Sequence, residues 1–221
     1  MDKIFTKNIE HESAVKHVTG KAIYTDDISE PKNLLHAVIG YSNCSKGVIK
    51  KIDYKDVLSS EGVVDIITEK DIEGINDVGP IFKGDKIFTS KNIEYYGQPI
   101  FAVIAKTNNL AKKAALKVKI DLKISKPIVS IEEALKKKSF VLKPKYLTRG
   151  NIKDGFKKSD NFLKGKLYSG GQDHFYLEGQ IAMTIPQEDN NFLVYSSTQH
   201  PSETQQIICL LYTSDAADDV L

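Results

Sequence analysis

The sequence predicts an α+β fold: a first domain of mixed strands and helices, then a second, strand-rich domain that is only begun. Two observations predict the first part. An order of strand, helix and strand is read over 47–53, 54–60 and 63–68, and it recurs over 99–105, 108–116 and 118–122. A third observation predicts the second part, because strands follow at 161–167, 178–185 and 191–197 with no helix between them. A strand-rich stretch that short rarely folds alone. With 221 residues, 41% hydrophobic and 27% charged, the chain has the make-up of a protein with a sizeable core.

Each element has a local reason. Residues 1–16 are polar and read as an arm. The run 34–41 has strand length after Pro31, with His36 as a packing residue inside it. The helix at 54–60 ends near Gly62, and 63–68 is an aliphatic strand of the buried type. Residues 77–91 are rich in glycine and proline, and Tyr95-Tyr96-Gly97-Gln98-Pro99 reads as a loop capping a sheet edge. Pro99-Ile100-Phe101-Ala102-Val103-Ile104-Ala105 is a near-continuous apolar strand, whereas 118–122 alternates as a half-buried one. The strand–helix–strand order favours a right-handed crossover onto a shared sheet. Ser130 is placed to cap a helix over 130–138, with Glu132 and Glu133 in its positive first turn. The lysine-rich stretch 143–158, broken by Gly150 and Gly155, reads as a connecting segment.

Charge and cysteine content exclude several classes of function. Lys and Arg exceed Asp and Glu by 31 − 29 = 2, so no overall field draws nucleic acid or an acidic membrane. Arg149 is the only arginine, so bidentate anion clamps have to come from elsewhere. Cys44 and Cys209 offer neither a disulfide framework nor a Cys-x-x-Cys pair for zinc or iron–sulfur ligation. There is no signal-peptide core and no membrane-length apolar run. These features are those expected of a soluble, cytoplasmic protein.

The densest collection of functional side chains is Ser169-Gly170-Gly171-Gln172-Asp173-His174-Phe175-Tyr176-Leu177-Glu178-Gly179-Gln180. Paired glycines let backbone approach a bulky ligand, and the Gln172 amide brings donors and an acceptor to it. Three other readings stand beside that one. His174 and Glu178 would share a face if the stretch were helical, as a metal pair does. Asp173 and Glu178 could form a carboxylate pair. Alternatively the glycines make a strand turn, with Phe175, Leu177 and Ile181-Ala182-Met183 as ordinary core.

Several motifs in order carry a family likeness. They are Thr19-Gly20-Lys21-Ala22-Ile23-Tyr24-Thr25-Asp26-Asp27-Ile28, Gly62-Val63-Val64, Asn76-Asp77-Val78-Gly79-Pro80, Tyr96-Gly97-Gln98-Pro99, the 170–178 stretch and Ser196-Ser197-Thr198-Gln199-His200-Pro201. Together they resemble the molybdenum-binding subunit of the xanthine dehydrogenase and aldehyde oxidase family, in the bacterial form where this subunit is a separate polypeptide. The likeness runs from about Ile9 to Ile208.

The resemblance implies an α/β-hammerhead domain over 17–125, a linker over 126–149 and the start of the first molybdopterin-binding domain over 150–208. It also implies that Gln172 donates to an oxo ligand of a molybdenum–molybdopterin cofactor, with Gly171 allowing close backbone approach and no residue of the chain ligating the metal directly. The family reaction is hydroxylation of a purine such as hypoxanthine or xanthine, with oxygen from water. Electrons pass through 2Fe-2S clusters and FAD to NAD. In the bacterial form those groups sit on a partner chain, and the whole is expected as a dimer of heterodimers.

The family's glycine-rich loop, substrate-binding arginine and glutamates and base glutamate have no counterpart here. No catalytic residue is therefore expected within these 221 residues, and the fragment is expected to be inactive by itself. Residues 209–221 resemble a translated sequencing adapter joined in frame and are left out of the fold reading. Oxidation of an aldehyde or another N-heterocycle, or a non-catalytic docking role, are the alternatives.

Overall fold

A computed structural model of the chain describes residues 10–79, 81–189 and 191–212. The remainder of the N-terminal arm, Pro80, and most of the adapter-like stretch lie outside the described residues. The chain divides into two units: Met1–Ser125 together with Leu177–Leu221, and Lys126–Tyr176.

Besides a two-stranded sheet in its C-terminal part, the first unit holds two antiparallel three-stranded sheets. In one, the apolar run becomes β5 (Pro99–Ala105), the central strand between β1 (His36–Tyr41) and β3 (Val63–Thr68). Val38 and Ile66 both pair with Val103, and Gly40 pairs with Phe101. In the other sheet β2 (Gly47–Asp53) is central, between the two-residue β4 (Asn92–Ile93) and β6 (Lys119–Ile124).

This overturns the expected crossover. Every strand pair is antiparallel, and each strand–helix–strand unit divides its strands between the two sheets. The helix after β5, α3 (Asn108–Ala115), does not return the chain to a parallel neighbour. It buries Ala111 and Ala114, packs on β1 and β5, and delivers the chain to the other sheet. Thr107 starts it, its Oγ1 accepting from the Leu110 N–H at 3.3 Å.

Between the sheets, Ile49 and Ile93 meet Ile100, Phe101, Val103, Ala111 and Ala114 in one buried cluster. The helix α2 is a single turn, Lys55–Leu58, with Val57 fully buried. Gly62, at φ +73°, makes the reversal into β3, a backbone conformation that a β-carbon disfavours. That strand is only half-buried, because an irregularity between Val63 and Asp65 leaves Val64 outside.

Tyr54 closes the core beside α2, its ring edge-on to Phe101 with centroids 5.2 Å apart. Burial first, and the negative charge of Asp71 second, push its phenol from 10.0 up to about 12. A raised folded-state value favours the neutral phenol. The stability this contributes is therefore fully present below pH 10.0 and is lost as pH rises through about 12. Absorbance titration at 295 nm is expected to show one tyrosine ionising near the upper value. If all tyrosines ionise together at the ordinary value, this packing is wrong.

A helix, α1 (Ala14–Val18), begins in the N-terminal arm and runs past its expected end at residue 16. In the second unit, α4 (Ile131–Lys137) is capped by Ser130 as expected, its Oγ accepting from the Glu133 N–H at 3.2 Å. The stretch read as purely connecting holds another helix, α5 (Ile152–Lys158), because Asn151 Oδ1 accepts from the N–H groups of Lys153 and Asp154.

The expected strand at 161–167 does not form. These residues are exposed and irregular, since a strand needs a partner and none of the sheets includes them. The later strands form as a hairpin, β7 (Ala182–Pro186) with β8 (Phe192–Ser196), so the first begins at Ala182 and not at Glu178. Helix α6 (Pro201–Tyr212) follows, and the carbonyls of Leu210 and Leu211 accept from the N–H groups of Ile75 and Gly74 at 2.9 and 2.8 Å. No helix among the described residues is long and apolar enough to cross a membrane.

Candidate functional site

The segment 159–176, which carries both predicted site residues, belongs to the second unit and contains neither helix nor strand. Gln172 is exposed, and no hydrogen bond of its amide to a described residue is found. Beside it, a β-carbon built on Gly170 or Gly171 would meet nothing within 4 Å, so the flank of this backbone is open. Asp173 turns the chain locally, Oδ1 accepting from the Phe175 N–H at 3.2 Å, with Phe175 at φ +48°.

The alternatives lose their geometric basis. Without a helix, the four-residue spacing of His174 and Glu178 does not place them on a common face. Among the described residues no cluster of three or more His, Cys, Asp or Glu stands ready for a metal ion. Phe175 and Leu177 are 93% and 85% exposed and so are not strand core, whereas Ala182 and Met183, grouped with them in that reading, do enter β7. Asp173 is occupied with its own turn and Glu178 with a distant backbone group: Glu178 Oε1 accepts from the Thr25 N–H at 2.9 Å. Thr25 opens a 3₁₀ turn, Thr25–Asp27, inside the first of the sequence motifs.

Two other motifs prove to be hydrogen-bonded supports. Gln98 is buried, and its Oε1 accepts from the Glu94 N–H at 2.8 Å. Its own N–H donates to Ser42 Oγ at 3.1 Å, while Ser42 Oγ donates to the Tyr95 carbonyl at 3.0 Å. The loop therefore fastens the end of β1, an edge strand, to the entry of β5. Nothing in the sequence around Ser42 signals this. Ser42→Ala is expected to cost about 1–3 kcal/mol, because it strands the buried Gln98 N–H. Urea melts check this, and a loss below a few tenths would contradict it.

Asp77 organises the second loop. Its Oδ1 accepts from the Gly79 N–H at 2.9 Å and its Oδ2 from the Gly84 N–H at 2.6 Å. The Gly79 backbone donor first, and then that of Gly84, hold its carboxyl below the ordinary 3.8 despite partial desolvation. Neighbouring Asn76 pairs with Phe88 as a strand would, donating to its carbonyl at 2.8 Å and accepting from its N–H at 3.1 Å. An aspartate followed by spaced glycines was a legible turn signal.

Known proteins match across these elements. Residues 19–126 match the family described as aldehyde oxidase and xanthine dehydrogenase, a/b hammerhead domain, and residues 134–217 match the molybdopterin cofactor-binding domain. Over 209 residues the chain is 35% identical to xanthine dehydrogenase of Drosophila pseudoobscura pseudoobscura, covering 93% of this chain and 16% of the relative. Over 202 residues it is 37% identical to aldehyde oxidase 2 of Rattus norvegicus, covering 90% and 15%. The solved aldehyde oxidoreductase of Desulfovibrio gigas superposes with a TM-score of 0.72 at 28% identity, over 85% of this chain and 23% of that one. The chain thus spans about a sixth of the length of the curated relatives. Two successive domain matches and these identities show that the chain belongs to the xanthine dehydrogenase and aldehyde oxidase family, with a hammerhead domain followed by a molybdopterin-binding region.

Proposed function

We propose that the complete protein is a molybdenum hydroxylase acting on a purine such as hypoxanthine or xanthine, with water as the oxygen source. The single observation that carries this reading is the likeness to a xanthine dehydrogenase over 93% of the chain. The residues present fit the cofactor: an exposed side-chain amide, Gln172, stands beside backbone whose flank is open at Gly170 and Gly171. A bound molybdenum–molybdopterin group supplies the oxidative chemistry. Gln172 donates an amide N–H toward it and fixes its orientation, while Gly171 keeps side-chain bulk away.

Electron carriers belong elsewhere in this proposal. In the bacterial arrangement proposed for the complete protein, the 2Fe-2S clusters and FAD sit on a partner chain. Two such pairs form the assembly, in the cytoplasm.

A second reading has its own observation, since the identity to an aldehyde oxidase is 37%. Turnover of the complete gene product on xanthine and on a panel of aldehydes decides between them. Faster oxidation of xanthine supports the purine reading, and preference for aldehydes replaces it with the second. A complete protein that takes up no molybdenum cofactor and is inert toward both would leave a docking role as the better account.

A further inference from the structure

We propose that Glu178 is a positioning residue for the Gln172 amide, acting through its carboxylate grip on the Thr25 backbone. This rests on the reading of Gln172 as the cofactor-facing residue. The N–H groups that open a helical turn have no backbone partner within the turn. Here two of them are taken by carboxylates. Asp27 Oδ2 accepts from the Tyr24 N–H at 3.0 Å, a local contact, and Glu178 Oε1 accepts from the Thr25 N–H at 2.9 Å across 153 residues of sequence.

The turn that Glu178 grips is itself held. The Tyr24 hydroxyl lies 3.3 Å from His17 Nδ1 on α1. Just downstream of Glu178 the chain is held again, because the Ile181 N–H donates to Ser197 Oγ at 3.0 Å and its carbonyl accepts from the Ser197 N–H at 3.0 Å. Upstream, 159–176 has no helix or strand to fix it. Glu178 lies six positions beyond Gln172, and six extended residue steps reach at most about 20 Å. An anchor at Glu178 therefore limits where the Gln172 amide can be presented. A charge-assisted bond to a backbone N–H makes a strong anchor of this kind.

The test uses the complete enzyme with Glu178→Ala, Glu178→Gln, Gln172→Ala and the Glu178→Ala/Gln172→Ala double variant. Glu178→Ala is expected to lower kcat about 10-fold with KM little changed. Glu178→Gln, which keeps an acceptor oxygen, is expected to restore most of that loss. In the double variant the loss should be no greater than for Gln172→Ala alone, because two residues acting through one geometry are not additive. A readout independent of turnover is amide hydrogen exchange at Thr25 in the cofactor-free protein, which should accelerate in Glu178→Ala and stay slow in Glu178→Gln.

Unchanged kcat in Glu178→Ala, alongside a loss in Gln172→Ala, overturns the positioning role and leaves the reading of Gln172 standing. Losses that multiply in the double variant, or Thr25 exchange that ignores Glu178, also overturn it. If Gln172→Ala itself leaves turnover unchanged, the reading of Gln172 has failed and the positioning role falls with it.

Discussion

Phe101→Ala is expected to remove about 3–5 kcal/mol of stability, enough to unfold a marginal domain. Phe101 is wholly buried on β5, the strand that both neighbours in its sheet depend on. Its ring packs edge-on to Tyr54 and covers Gly40 on β1, where a β-carbon would sit inside the ring's van der Waals surface. The substitution would leave a cavity between two sheets and a helix, none of which can close over it without breaking strand pairing. The converse change, Gly40→Val, is expected to fail by overpacking against the same ring. Denaturant melts measure both, and a loss below about 1 kcal/mol for Phe101→Ala would mean the site collapses freely.

The largest functional effect is expected at Gln172. In the complete protein, Gln172→Ala should lower turnover by about 10–100-fold, the range seen when an outer partner of a metal centre is removed. Subunit assembly and thermal stability should not move, since Gln172 is exposed and belongs to no helix, strand or buried cluster. That separation is the useful part of the test. A loss of turnover accompanied by lost assembly would make Gln172 a structural residue, and unchanged turnover would remove it from the site.

How much of this was legible depended on the range of the interactions involved. The run of β5 could be read because seven consecutive nearly apolar residues suit only a strand covered on both faces. The cap of α4 could be read because Ser130 and Glu133 are three residues apart. Sheet membership could not, because one strand–helix–strand order serves either a shared parallel sheet or two antiparallel ones. What decides is which edges pair, and β1 finds β5 only across the intervening chain. The run 161–167 looked like a strand by composition, yet no sheet among the described residues supplies it with a partner. Gln172 was singled out by its glycine neighbours and by family likeness, whereas the role of Glu178 was hidden, its partner Thr25 being 153 residues away.

Antiparallel pairing of β1 with β5 also has a consequence for how the chain is made. Some 60 residues separate Tyr41 from Ala105, so at about 5–20 residues per second β1 emerges from the ribosome roughly 3–12 s before its partner is complete. During that interval Ile39 and Tyr41 have no strand beside them, and β3 is waiting for the same partner. The first sheet thus closes in a single late event, when β5 slots between two strands already synthesised. A pause in translation shortly before residue 105 would prolong exposure of two unpaired edges, the state in which newly made chains are most easily captured by one another.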